Sequence, residues 1–296
     1  KFKEPLSIDR LQQDANLLFA ERSYTSQIAP NRDTGAMAHG QVFDGRFSYA
    51  LGAFNGVADG GSDDLETADG DKDVVGRVFF NPFLKSKSDA ARGLGFGVAG
   101  TFGHQEGALR SFMTPGQQSF FAWGIPAAGA TPAVPVVADG NHWRIAPQGY
   151  YYYEPFGVLG EYILSDQQVR KGAKTRETFA NQAWFLSASY FLTGEDNQFT
   201  QVTPRRPFHP TEGGWGAFEL KARVQELTLD DGIFAGYTDA KTSAREALTW
   251  GTGINWYLNK NVKFVIDFER TDFSGGTSPP LKKGENILIT RAQLAF

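Results

Sequence analysis

Residues 215–226 alternate an apolar row, Phe218, Leu220, Ala222 and Val224, with a polar one, Glu219, Lys221, Arg223 and Gln225. Successive side chains of an extended strand point to opposite faces, so the segment is greasy on one side and wet on the other. The pattern recurs at 262–272, where Phe264, Ile266 and Phe268 oppose Lys263, Asp267 and Glu269, and at 178–192, where Trp184, Leu186, Ala188 and Tyr190 oppose Asn181, Ser187 and Ser189. It closes the chain at 286–296, with Leu288, Thr290, Ala292, Leu294 and Phe296 against Ile289, Arg291, Gln293 and Ala295. An ionisable row cannot be buried unpaired, and the apolar rows need a cover of their own. Lipid outside and water inside satisfy both, so the predicted fold class is all-β, a transmembrane antiparallel β-barrel. The competing fold is a soluble sandwich, whose sheets also alternate.

Period-two segments fall at about 34–43, 46–55, 73–83, 93–104, 143–154, 157–167, 178–192, 215–226, 245–257, 262–272 and 285–296, about eleven strands, with Lys1 to Lys3 as the tail of a twelfth. Many approach the roughly ten residues of a tilted membrane strand. No apolar run nears the ~18 residues of a spanning helix, which excludes a helical membrane protein. Tight turns are expected at "FDGR" 43–46, at "EPFG" 154–157 and at "LNKN" after Tyr257, whereas 56–72, 105–142, 227–244 and 273–284 are long and polar. Short connections on one rim and long ones on the other are the outer-membrane arrangement, with 193–214 as the long exception on the short rim. The 25 Phe, 10 Tyr, 6 Trp and 34 Gly suit pleated walls and turns, and Tyr150 to Tyr153, Trp250 and Trp256 are candidates for interfacial girdles. Zero Cys excludes a disulfide framework, and a net charge of −4 argues against nucleic acid as a partner.

The strings "KFKEPLSIDRL" and "FAERS" within 1–23, "TPGQQSFFAW" at 114–123, "RIAPQGYYYYEPFGVLGEY" at 144–162, "LTGED" at 192–196, "GGWGAFELKARV" at 213–224 and the final "RAQLAF" together resemble the phosphate-selective porins O and P of Gram-negative outer membranes. That resemblance implies a sixteen-stranded barrel in a homotrimer, with a third loop folded inward to narrow the pore. On that footing residues 1–296 form a single outer-membrane β-barrel domain, about five strands are missing ahead of Lys1, and 4–33 is the inward constriction loop. Outer-membrane lipid, lipopolysaccharide and small anions are the implied partners, and no cofactor is implied.

Alternation then assigns Arg46, Arg77, Arg144, Lys221, Arg223, Lys263 and Arg291 to the lumen, and the loop adds Arg10, Arg22 and Arg32. A narrow aqueous channel focuses their field, and the guanidinium fork suits phosphate oxygens. For any one of them, pairing with Glu219, Asp267 or Glu269 is the ordinary role. Leu17, Leu18 and Phe19 are expected to pack on the wall, and Gln225→Ala on the lumen face is expected to cost little.

Enzyme chemistry finds little footing. Gly95, Gly97 and Gly100 fit GxGxxG but lie in a segment that runs on as a strand rather than opening a helix. His39, His104, His142 and His209 lack metal-ligand spacing, and "DLETADGDKD" at 64–73 lacks the EF-hand positions. No G-x-S-x-G elbow appears. The sequence therefore predicts a diffusion porin with a preference for anions of the phosphate or polyphosphate type; the alternative is a structural barrel that anchors a larger assembly.

Overall fold

The computed structural model describes residues 1–295 apart from 63–71, 128–132, 174–175 and 277–283. Most of the acidic string at 64–73 thus lies outside the described residues. The strands are β1 (Phe2–Lys3), β2 (Arg32–Asp33), β3 (Gly35–Val42), β4 (Phe47–Phe54), β5 (Lys72–Phe80) and β6 (Leu94–Ala108). Then come β7 (Phe112–Met113), β8 (Ser119–Phe121), β9 (Val136–Tyr153), β10 (Phe156–Lys171) and β11 (Arg176–Phe191). The last four are β12 (Ala217–Thr228), β13 (Glu246–Tyr257), β14 (Val262–Ser274) and β15 (Glu285–Leu294). One antiparallel sheet of 11 strands runs β15-β14-β13-β12-β11-β10-β9-β6-β5-β4-β3, with β3 and β15 as its edges. Its members are the eleven segments expected from period-two alternation.

Three local details differ from that expectation. Phe2 and Lys3 pair with Asp33 and Arg32 in a ladder separate from the large sheet, so they close the root of the 4–33 segment rather than ending a twelfth wall strand. β6 and β9 run further than their apolar patterns, with Gln105–Ala108 pairing onto Val137–Gly140, which shortens the connection expected at 105–142. Tyr150 to Tyr153 split between faces. Tyr150 turns inward onto Phe79 and stacks on Phe199 at a centroid distance of 5.8 Å, so only alternate members of this cluster face outward.

The register puts the two rows where alternation requires. Glu219, Lys221, Arg223 and Gln225 on β12 are buried on the inner face, as are Lys263, Asp267 and Glu269 on β14. Leu220, Ile266, Phe268, Leu288 and Phe102 are exposed on the outer one. On the outer face Trp256 stacks on Phe218 at 5.7 Å and leans on Phe264 at 5.8 Å, forming an aromatic patch beside the short turns. The turn at 43–46 takes left-handed backbone at Phe43, Asp44 and Gly45, which the Asp-Gly pair tolerates.

The sheet curls around its inner face. The connection leaving β6 carries the small β7–β8 hairpin, whose Phe120 packs on Phe273 of β14, while Gly116 lies so close to Ile287 of β15 that a Cβ there would approach within 2.9 Å. Tyr24, Ile28, Phe120, Phe121, Ile163 and Leu227 meet in one buried cluster inside this curve. The interior is thus occupied by residues of 4–33 and by the hairpin.

Candidate functional site

The segment 4–33 is held to the inner wall by its polar atoms. Ser7 caps the single-turn helix Ile8–Leu11 by accepting from Arg10 N, and its hydroxyl donates to Glu161 of β10 at 2.7 Å. The same carboxylate accepts from Ile8 N and from the Thr25 hydroxyl, each at 2.7 Å. One buried wall residue therefore pins both limbs of the segment, and its charge is met by three donors. Within the segment, Asp9 ties the limbs together by accepting from Ser23 N and Oγ at 2.9 Å.

Further along the wall, Tyr24 N donates to Gln225 Oε1 at 2.9 Å and the Tyr24 hydroxyl bonds Thr249 of β13 at 2.8 Å. Burial pushes the Tyr24 phenol up to about 12, so it stays neutral. Gln225 also donates to Glu269. Gln225→Ala would thus remove a contact to the segment and leave buried partners unmet, which corrects the expectation of a near-neutral substitution.

Phe19 explains how an apolar stretch meets a charged wall. Its ring lies under Lys221 Nζ at 4.7 Å and under the Arg223 guanidinium at 4.3 Å, while both cations keep ion-pair partners, Lys221 with Asp267 at 2.6 Å and Arg223 with Glu269 at 3.1 Å. The cations also take carbonyls of the segment: Lys221 bonds Leu18 O at 2.6 Å, Arg223 bonds Glu21 O at 2.9 Å, and Lys263 bonds Leu17 O at 2.8 Å and Ala15 O at 3.1 Å. Arg291 donates to Ala20 O at 2.8 Å. Leu17 and Phe19 are buried and Leu18 is half-buried. The wall cations hold the backbone of 15–21 in place as much as they charge the lumen.

A cleft of about 720 Å³ remains between this segment and the connections on the long-loop side, bordered by Arg10, Arg22, Arg110 and Arg291 with Asp14, Glu21 and Asp59. Arg22 is bound to Asp14 at 2.5 Å, and Asp59 belongs to Arg144 at 2.7 Å. Arg10 is fixed by Ser26 O at 2.5 Å and Gly60 O at 3.2 Å, and burial lowers it only to about 10, so it remains a cation. Burial raises the Glu21 carboxyl. Arg291 keeps Nε and Nη2 without a partner among the described residues.

The ten predicted cations therefore separate. Arg10, Arg22 and Arg291 share the cleft, whereas Lys221, Arg223 and Lys263 lie beneath the segment. Arg77 donates to Gln148 at 3.0 Å on the inner face of β5 and β9, and Arg144 is fully buried against Asp59 and Asp73. Arg32 is exposed on β2, within the β1–β2 ladder, and Arg46 is exposed on its turn, where Nε donates to Phe43 O at 3.0 Å; neither borders the cleft. Arg110 was absent from the predicted set. It lies in a connection rather than on an alternating strand, so periodicity gave it no face.

Residues 129–296 match the family described as "Phosphate-selective porin O and P". The protein named Porin O of Pseudomonas aeruginosa is 21% identical over 160 residues, which cover 53% of this chain and 36% of that protein. The chain thus matches well under half the length of this relative. The family match holds β9 to β15 with Arg144, Lys221, Arg223, Lys263 and Arg291, and leaves 4–33 outside. With more than half of its length matched, the chain belongs to the phosphate-selective porin O and P family.

Proposed function

We propose that this chain forms wall and constriction of an outer-membrane diffusion porin that prefers small anions of the phosphate or polyphosphate type, a channel rather than an enzyme. The observation that carries the reading is the cleft bordered by four arginines against three carboxylates, two of which are already engaged by arginine. An anion entering it finds guanidinium groups with fixed geometry. The family supports the phosphate preference and a place in the Gram-negative outer membrane. The broad apolar outer face supports contact with lipid, lipopolysaccharide or neighbouring copies in a homotrimer. Residues 4–33 serve as the constriction, since they cross the inner face and are bonded to β9, β10, β12, β13, β14 and β15.

Glutamine in place of Arg10, Arg22, Arg110 and Arg291 together keeps donors for the carbonyls and removes four charges. In planar bilayers under a salt gradient the complete protein should then lose most of its anion bias, and its reversal potential should move toward or past zero, because Asp14 and Glu21 remain. An unchanged reversal potential would remove these arginines from the selectivity mechanism.

A further inference from the structure

Glu4 follows β1 at the root of the 4–33 segment, is fully buried, and has no hydrogen-bond partner for either carboxyl oxygen among the described residues. The groups around it are mostly acidic. From β5 comes Asp73, fully buried, with Oδ1 unpartnered and Oδ2 at 3.4 Å from Arg144. From β2 comes Asp33, fully buried, whose carboxylate accepts from Thr34 N at 2.5 Å and Gly56 N at 2.7 Å. On the other side of Arg144 stands Asp59, at 2.7 Å from the guanidinium and 3.6 Å from His142 Nε2. The charges facing Glu4 are those of Asp33, Asp73 and Arg144.

We propose that Glu4 is the proton-operated latch of the 4–33 segment: protonated, it keeps the root closed on β5 and β9, and loss of its proton to solvent releases the root and widens the passage. The proposal rests on the reading of 4–33 as the constriction. Four buried carboxylates cannot all stay ionised around one guanidinium, because burial penalises each charge and the acids repel one another. Asp33, Asp59 and Asp73 all have donors that stabilise their charged form, whereas Glu4 has none. Glu4 is therefore the one of the four least able to hold a charge. Burial, then Asp73, then Asp33, against the pull of Arg144, push the Glu4 carboxyl up to about 8. A raised acid is bound most firmly when protonated. Its contribution to closure is complete below the ordinary value of 4.5, declines as pH rises, and is gone above about 8.

The test uses the complete protein in planar bilayers, as parent and Glu4→Gln, from about pH 6 to about pH 9.5, and reads the difference between the two, since the buried anchors Glu161, Lys221 and Lys263 are common to both. The parent should gain conductance or open-state flicker with a midpoint near pH 8, and Glu4→Gln should lack that step. Infrared difference spectra of the parent should lose a protonated-carboxyl stretch over the same interval, and that band should be missing from Glu4→Gln. Should Glu4→Gln fail to assemble, Asp73→Asn decides, because removing the neighbouring carboxylate should shift the midpoint to lower pH. A conducting channel with no such pH step, a step retained in Glu4→Gln, or an unshifted midpoint in Asp73→Asn overturns the latch and leaves the porin reading standing. Silence of the parent at every pH overturns both.

Discussion

Excising residues 8–28 from the complete protein should raise single-channel conductance several-fold and weaken ion discrimination together. The deletion removes the helix turn on Glu161, Phe19 beneath Lys221 and Arg223, and the Tyr24 bond to Thr249. What remains is a wall whose Glu161, Lys221, Arg223, Asp267 and Lys263 face water. In a water-filled lumen those charges are solvated rather than orphaned, so the barrel should survive a loss that a dry core would not. A wider aqueous path also lowers the field at its axis, which is why selectivity should fall as current rises. Single-channel recording with a salt gradient reads both quantities. Parent-like conductance in a correctly inserted deletion would mean that this segment does not set the narrowest cross-section.

Leu220→Arg should cost roughly 2–4 kcal/mol of stability in the membrane, since it places a cation on the lipid face toward the middle of a wall strand. Leu220 is exposed on the outer side of β12, level with Tyr190 on β11 and Ile254 on β13. Its neighbours Lys221 and Arg223 show that the same strand accommodates cations one and three positions away, where the inner face supplies Asp267, Glu269 and the carbonyls of 4–33. The contrast is therefore one of face. Reversible unfolding by urea in lipid vesicles measures it, and a variant as stable as the parent would place Leu220 away from lipid.

The wall was legible because strand periodicity reports directly on facing. Every one of the eleven expected segments occurs, and Lys221, Arg223, Lys263 and Arg291 fall on the inner side as alternation required. Pairing with Glu219, Asp267 or Glu269 is the ordinary role expected of any inner-face cation, and Lys221 with Asp267 and Arg223 with Glu269 take it up across Gly253 and Gly251 of the intervening β13. The contents of the lumen were less legible. Lys263 satisfies itself with the carbonyls of Ala15 and Leu17, groups that every residue carries and no sequence pattern marks. Arg110 approaches the cleft only because the connection after β6 folds over the inner face, and Gln225 is an anchor only because Tyr24 N arrives beside it. Arg46 illustrates the converse: alternation gave it a lumen face, but the tight turn captures its guanidinium at the rim.

The proposed constriction can be probed through Asp14, an exposed side chain bordering the arginine cleft, in a stretch of 296 residues that holds no Cys. A negatively charged thiol reagent added to Asp14→Cys in a planar bilayer should cut the current of each channel in discrete steps and should leave the parent, with Asp14 in place, unaffected. Full labelling, established by mass, with no change in current would contradict the assignment of 4–33 as the gate through which solutes pass.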